Sequence, residues 1–157
     1  KASQIPRGKN VVVNGDFEKV DVLGKPEGWF FHGPVSVEKE ERNTFVRIKG
    51  GTVAGGYYRQ EMERPNNVTH GTIRVKLRTH GCIGFDRSRV NANISCKNEE
   101  GKVIFWIMAI SGRKDGVWTT IHGEGAIPKE ATWFCFELNY KGSKGQVDFD
   151  DVEVTFK

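Results

Sequence analysis

Paired carboxylates stand inside the last predicted strand of the chain, at Asp150 and Asp151. Apolar side chains alternate on one parity before this pair and on the other parity after it: Val147, Phe149, then Val152, Val154, Phe156. Because strand side chains alternate between two faces, the apolar set can stay on the core face only if one residue bulges out at the pair. Two adjacent carboxylates suit a hard cation or a cationic partner.

A second acidic group lies near the N-terminus, where Asp16 and Glu18 follow Asn14 and Gly15. If the first and last strands of a β-sandwich are neighbours, the acids at both ends of the chain form one oxygen-rich site. Alternatively, these carboxylates cap turns and pair with lysines. Both interpretations stay open at this point.

The elements that must position these groups are predicted to be strands. Short alternating runs stand between Gly, Asn and Pro, most clearly at 72–78, 90–96 and 133–140. Further strands are predicted near 10–13, 35–39, 44–49, 57–63, 102–110 and 117–122. About ten short strands without a convincing amphipathic helix favour an all-β, two-sheet antiparallel β-sandwich. We expect one domain, spanning 1–157.

Composition narrows the classes of function. The 157 residues carry a net charge of +4, which fits a solvated basic surface or, alternatively, an anionic partner. No apolar run is long enough to cross a bilayer, and nothing points to nucleic acid. No signal peptide is visible at Lys1, so we expect a mature protein or a segment excised from a longer one. The cysteines, Cys82, Cys96 and Cys135, are odd in number, and one disulfide plus a free thiol is an alternative to buried thiols.

Four motifs, in order along the chain, resemble one family. Residues 10–18 (Asn-Val-Val-Val-Asn-Gly-Asp-Phe-Glu) and 26–29 (Pro-Glu-Gly-Trp) resemble the opening of carbohydrate-binding modules of the family 4/9/16/22 type. Residues 116–120 (Gly-Val-Trp-Thr-Thr) and 149–152 (Phe-Asp-Asp-Val) resemble the late and closing strands of these modules. The resemblance implies a galactose-binding-like β-jelly-roll that binds polysaccharide or oligosaccharide without catalysis. It also implies a monomeric module, secreted or at the cell surface, beside a catalytic domain.

The resemblance further suggests how the acids are used. The family pattern suggests that Glu18 and Asp150 are ligands of a structural calcium ion, helped by backbone carbonyls and by Asp16. Calcium accepts oxygen ligands in irregular geometry, so two carboxylates and loop carbonyls suffice. The alternative remains that these acids cap turns and pair with lysines.

Aromatic rings are the expected sugar platforms, because flat rings pack against the C–H faces of pyranoses. The candidates are Tyr57, Tyr58, Trp106 and Trp133, whereas the family pattern assigns Trp29 and Trp118 to packing. Neighbouring strand residues point to opposite faces, so only one of Tyr57 and Tyr58 can be exposed, and parity leaves the choice open. Hydrogen bonds at the sugar edge are predicted from Arg59, Arg78, Asn93 and Glu137.

A polar cleft is predicted from the outward side chains of three strands. We expect one sheet face to present Arg74, Lys76, Arg78, Asn91, Asn93, Glu137 and Asn139. Its three basic residues, with the net charge of +4, favour an anionic polysaccharide over a neutral one.

Catalytic motifs are missing from the sequence. The histidines are scattered, with no nucleophile elbow and no zinc-protease helix motif. A two-carboxylate glycosidase stays open, since any β-protein has pairs of acids. We therefore expect a binding module; the alternative is a structural or adhesive β-sandwich that packs against a neighbouring domain. An exposed ring in a polar groove favours the first, and a large apolar patch without a groove favours the second.

Overall fold

The computed structural model describes residues 8–52, 54–82, 90–110 and 114–157, with the side chain of residue 110 left out. Within these ranges the chain forms ten strands. Their bounds are β1 (Phe30–His32), β2 (Val35–Glu40), β3 (Asn43–Lys49), β4 (Gly56–Glu63), β5 (His70–His80), β6 (Val90–Lys97), β7 (Val103–Ile110), β8 (Thr119–Ala126), β9 (Trp133–Tyr140) and β10 (Gln146–Phe156).

The strands form two antiparallel five-stranded sheets that pack face to face. The front sheet has the order β1-β4-β9-β6-β7, and the back sheet has the order β2-β3-β10-β5-β8. The predicted β-sandwich is confirmed. The inward residues of the cleanest predicted strands are buried between the sheets, namely Ile73, Val75, Leu77, Phe134, Phe136 and Leu138. No helix within the described ranges has the length and apolar character that a membrane span requires.

The predicted bulge in the last strand is confirmed. The register between β10 and β5 shifts between Asp150 and Glu153, and Asp151 has a φ of 46°. The apolar residues on both sides of the shift all remain in the core: Val147, Phe149, Val152, Val154 and Phe156. We call Asp150 and Asp151 the acidic bulge.

The prediction of a strand near 10–13 is wrong, although this segment does lie along β10. The Val11 N–H donates to the Val154 carbonyl, as in a sheet. The next hydrogen bond to β10 involves a side chain instead of the backbone: Asn10 Oδ1 accepts from the Val154 N–H, and it also accepts from the Val12 N–H. The chain then leaves the sheet in a turn in which Asn14 and Phe17 have φ values of 52° and 56°. A short strand, β1, was missed at Phe30–His32.

On one side of the sandwich, the two sheets approach each other closely. A Cβ at Gly123 of β8 would lie 2.0 Å from the carbonyl oxygen of Met108 in β7. Only glycine leaves room for that oxygen, so β8 lies directly against β7, which is the edge strand of the front sheet.

All three cysteines are free thiols, so none of them forms a disulfide. Cys96 and Cys135 are buried, and burial raises their pKa values to about 11 and about 12. They lie on opposite faces of the front sheet, because Cys96 belongs to the core and Cys135 pairs with Ser95. They act as small apolar residues.

Candidate functional site

The outer surface of the front sheet, here called the front face, carries a band of polar side chains. β9 lies between β4 and β6, so Glu137 has Arg59 as its partner on one side and Asn93 on the other. One step along the strands, Asn139 is paired with Tyr57 and with Asn91 in the same way. The pleat of three adjacent strands therefore gathers amides, a guanidinium group and a carboxylate.

Three polar residues of β6 form the floor of this band. Asn91, Asn93 and Ser95 point away from the core, yet they are only 8%, 3% and 0% exposed. Asn91 Oδ1 accepts from Asn93 Nδ2 at 2.9 Å and from Asn139 Nδ2 at 3.1 Å. Neither Asn93 Oδ1 nor Ser95 Oγ has a hydrogen-bond partner within the described part of the chain. Because a buried polar atom without a partner is costly, the floor is suited to a polar molecule that donates hydrogen bonds.

Exposed aromatic rings flank this floor. Trp106 of β7 is 53% exposed and lies opposite Ser95 in the register. Trp133 of β9 is 38% exposed, and its Nε1 donates to Glu61 Oε2 at 3.4 Å. The predicted positions of Trp106 and Trp133 at the surface are thus correct. At the other end of the face, Phe30 is 71% exposed and stands opposite Arg59.

Phe30 was missed by the sequence reasoning, because strand β1 was not predicted. A signal was present in the two consecutive aromatic residues Phe30 and Phe31. In any strand at this place, one of the two must point away from the core.

Tyr57 lies on the front face, but its ring already has two neighbours. The guanidinium carbon of Arg59 is 3.8 Å from its ring centroid. The imidazole of His32 stacks on it with a centroid distance of 5.6 Å and an interplanar angle of 28°. The ring therefore holds Arg59 in place, and it could serve as a platform only after Arg59 moves.

The expectation that Tyr58 is a platform is wrong. Its side chain is 1% exposed and packs in the core, where its hydroxyl donates to the Ser36 carbonyl at 3.1 Å. Burial raises the pKa of this hydroxyl far above its usual value. The parity of β4 decides the matter, since Tyr57, Arg59 and their partners in β9 occupy the outer face.

The expectation that Arg78 belongs to the same cleft is also wrong. Arg78 lies in β5 of the back sheet, where its Nη2 is 2.9 Å from Asp148 Oδ2 and 2.8 Å from Glu40 Oε1. The seven residues predicted to line one cleft divide between the two outer faces of the sandwich. Arg74, Lys76 and Arg78 are on the back sheet, and Asn91, Asn93, Glu137 and Asn139 are on the front sheet.

The charges of the front face compensate one another. Arg59 Nε is 3.6 Å from Glu137 Oε2, and Lys97 Nζ is 3.2 Å from Glu61 Oε1. The argument for an anionic ligand therefore fails at this face, because its basic residues lie on the other sheet.

The two tryptophans assigned to packing both make packing contacts. Trp29 is 6% exposed, and its Nε1 donates to the Asn14 carbonyl at 3.0 Å. Trp118 is partly exposed; it meets the Phe45 ring edge-on at 5.3 Å, and the Arg78 guanidinium lies over it at 4.7 Å.

Glu18 and Asp150 contact the first two residues of β3. Glu18 Oε1 accepts from the Thr44 N–H, and Asp150 Oδ2 accepts from Asn43 Nδ2, both at 2.9 Å. Asp150 is 3% exposed, and burial, with help from the charges of Asp151 and Glu18, raises its pKa to about 6. Glu18 and Asp150 thus lie close together, as the sequence predicted, and the calcium ion itself remains a prediction.

Asp16 lies apart from Asp150. It lines a cavity of about 610 Å³ with Lys19 and Arg74, whereas Asp150 lines an adjoining cavity of about 390 Å³. Among the described residues, no three His, Cys, Asp or Glu side chains are arranged to hold a metal ion. A calcium ion here would thus depend on two carboxylates, with amide and backbone oxygens for the rest. This donor set suits calcium, which takes neutral and charged oxygens together.

Solved structures with the same architecture include sugar-binding domains. A CBM4 structure matches with a TM-score of 0.60 and 18% sequence identity, covering 92% of this chain and 99% of that one. The N-terminal CBM22-1–CBM22-2 tandem domain of Paenibacillus barcinonensis Xyn10C matches with a TM-score of 0.67 and 13% identity, covering 99% of this chain and 47% of that one. The chain has the fold of a carbohydrate-binding module. These matches confirm, at the level of the fold, the resemblance carried by its four motifs.

The carbohydrate-binding module fold also occurs inside longer proteins. The enzymatically active domain of bacteriophage CBA120 tailspike protein 4 matches with a TM-score of 0.70 and 12% identity over 94% of this chain. This chain spans only 21% of that tailspike chain. The sequence itself matches no protein-family model and no curated protein.

Proposed function

We propose that this domain binds polysaccharide or oligosaccharide through its front face, without catalysis. One observation carries the proposal: two buried acceptors, Asn93 Oδ1 and Ser95 Oγ, have no partner within the described residues and lie on the floor beside an exposed tryptophan. Neither oxygen is accessible to solvent, so sugar hydroxyls would donate the hydrogen bonds that these oxygens lack once neighbouring side chains shift. The ring of Trp106, opposite Ser95, offers an apolar surface to the C–H face of the same sugar.

The ligand of this face is expected to be a neutral sugar chain. Arg59 and Lys97 each have a carboxylate within ion-pair distance, so neither is left for an anionic group. Asn93 Oδ1, which has no partner within the described residues, would also repel a carboxylate or a sulfate. Retention on a neutral polysaccharide should therefore change little with salt.

The experiment is retention on polysaccharide gels with Trp106→Ala, and Phe105→Ala is its matched control. Both residues are aromatic neighbours on one strand, 53% and 42% exposed, but they point to opposite faces of the sheet. We expect Trp106→Ala to weaken binding about tenfold or more, with little change in Tm, while Phe105→Ala binds like the wild type. Equal retention by both variants on every polysaccharide that holds the wild type would contradict the site.

A second variant tests the floor. Ser95→Ala removes a buried hydroxyl that has no partner among the described residues, so it should leave the protein as stable or slightly more stable. If the hydroxyl contacts sugar, the same change should lower the affinity. An affinity equal to that of the wild type would show that the ligand does not reach the floor.

We further propose that the domain targets a catalytic domain to its substrate, in a secreted or cell-surface protein. Support comes from the CBM22-1–GH10 modules of Clostridium thermocellum endo-1,4-β-D-xylanase 10B, where this chain matches 26% of the longer chain. A full-length gene product without a polysaccharide-active domain would contradict this. In that case, the alternative role as a structural or adhesive β-sandwich gains support.

Calcium is the proposed structural cofactor. Glu18 and Asp150 would hold it, with Asn43 contributing its amide oxygen after a rotation of the amide group, and Asp16 would assist from the neighbouring cavity. When bound, the ion would neutralise the buried carboxylate of Asp150. Thermal melts in calcium and in chelator test this, because a ligand that binds only the native state raises Tm. Identical melts with no binding heat would refute it.

A further inference from the structure

The acidic bulge already has a cation of its own. Lys76 Nζ lies 2.9 Å from Asp151 Oδ2, and Lys76 is the direct partner of Asp150 in the register between β5 and β10. Lys76 also lines both cavities of the back sheet, the one that contains Asp150 and the one that contains Asp16. The ammonium group of Lys76 therefore lies next to the bulge, and Lys76 lines the cavities of Asp150 and Asp16, two of the three acids predicted to bind calcium.

The position of this ammonium group has an electrostatic consequence. Asp150 is almost fully buried, and the carboxylates of Asp151 and Glu18 place like charges near it. A positive charge within a few ångströms offsets this repulsion. Calcium would provide the same compensation, but it would lie beside the ammonium group, which pairs with Asp151, the neighbour of the proposed ligand Asp150. Two cations at one cluster repel each other, so the presence of Lys76 lowers the affinity of the cluster for a metal ion.

We propose that Lys76 is a tethered counter-ion of the acidic bulge, which competes with calcium and sets how strongly the fold depends on it. This inference rests on the calcium site proposed above. It predicts a domain that keeps its bulge without metal, because Lys76 neutralises part of the acidic charge. It also predicts that loss of the ammonium group turns a weak calcium site into a strong one.

Lys76→Met is the test variant, because methionine keeps most of the apolar stem and removes the charge. Arg74→Met is the matched control. Arg74 lies two residues away on the same face of β5, makes no ion pair with any residue in the described ranges, and lines the cavity of Asp16 but not that of Asp150. Both substitutions remove one positive charge from one strand, so a general change in net charge affects them equally.

The role of Lys76 is tested by melting temperatures in chelator and in millimolar calcium, together with titration calorimetry of calcium. We expect Lys76→Met to melt lower than Arg74→Met in chelator and to gain more from calcium than the wild type. Its calcium Kd should be roughly tenfold tighter than that of the wild type. Equal melting of the two variants in chelator would overturn the proposal, and so would equal calcium affinities of Lys76→Met and the wild type.

The same data separate this proposal from the ones on which it builds. If calorimetry detects no calcium binding in any of the three proteins, the calcium site is wrong, and the competition is wrong with it. If all three bind calcium equally, the site stands and the role of Lys76 is refuted. Retention on polysaccharide is a separate measurement at the front face, so its outcome affects neither conclusion.

Discussion

Gly15 and Val152 join the two ends of the chain, because the Val152 N–H donates to the Gly15 carbonyl at 2.9 Å. The backbones lie so close that a Cβ at Gly15 would be 2.2 Å from the Val152 oxygen. This contact fixes the turn that carries Asp16 and Glu18 against the acidic bulge. The proposed calcium ligands are thus held together by backbone packing, whether or not a metal ion is present.

Gly15→Ala should therefore be strongly destabilising, since the added methyl group has no space unless one of the two backbones moves. We expect a loss of about 1–3 kcal/mol in the free energy of unfolding, measured by denaturant titration. Gly125→Ala is the control, because the nearest atom to a Cβ there is at an ordinary distance of 3.5 Å. Equal unfolding midpoints for the two variants would show that the contact at Gly15 relaxes freely.

Asp148→Asn tests the buried charge cluster of the back sheet. Asp148 is fully buried between two guanidinium groups, with Arg47 Nε at 2.7 Å from Oδ1 and Arg78 Nη2 at 2.9 Å from Oδ2. Removing its charge leaves both arginines without their buried charged partner, which should cost about 3–5 kcal/mol. Glu40→Gln removes an exposed partner of Arg78 and should have a much smaller effect. Similar losses for the two variants would contradict this account.

The pH dependence of stability in chelator should contain a contribution from Asp150. Burial raises its pKa from 3.8 to about 6, so the folded protein holds this proton more tightly than the unfolded chain does. The contribution therefore favours folding at low pH and is lost as the pH rises through about 6. A shift of this size corresponds to at most about 3 kcal/mol at neutral pH.

Asp150→Asn removes this titration. We expect the variant to be more stable than the wild type at neutral pH in chelator, and the difference to vanish near about pH 4, where the unfolded chain also holds the proton. Denaturant titrations across this range measure it. Glu153→Gln, an exposed carboxylate on the same strand, is the control. A difference between Asp150→Asn and the wild type that is independent of pH would contradict the assignment.

Phe30→Ala tests the end of the front face that lies far from Trp106. Phe30 is 71% exposed, so its loss should leave Tm nearly unchanged. If a sugar chain crosses the whole sheet, retention of a long polysaccharide should fall while binding of a short oligosaccharide at Trp106 persists. Tyr58→Ala should instead reduce stability by about 3–5 kcal/mol, because Tyr58 is a core residue. Equal binding of long chains by Phe30→Ala and the wild type would confine the site to the end of the face at Trp106.

The local features of the fold could be predicted from the sequence. The alternation in β5 and β9 identified inward and outward residues correctly, and the change of parity at Asp150 located the bulge. Both inferences use only the two-residue period of a strand, which is a property of neighbouring residues. The prediction of a strand at 10–13 was wrong for a local reason as well, since the side chain of Asn10 replaces a backbone carbonyl as the acceptor of the Val154 N–H.

The composition of the candidate site could not be predicted in the same way. Arg78 and Asn93 both point outward, but only the pairing of distant strands decides that they lie on opposite sides of the molecule. The choice between Tyr57 and Tyr58 depended on the partners of β4 in β9, about eighty positions away in the sequence. The burial of Ser95 likewise depends on three strands together, because nothing in the sequence of β6 alone makes a serine on its outer face inaccessible to solvent.

The contact between Gly123 and the Met108 carbonyl has a consequence for solubility. β7 is a sheet edge with an almost wholly apolar sequence, Val-Ile-Phe-Trp-Ile-Met-Ala-Ile, the kind of strand that pairs with other chains and starts aggregation. Because Gly123 has no side chain, β8 lies against this edge and denies it to a second molecule. A bulkier residue at position 123 would separate the two strands and leave the edge open to self-association.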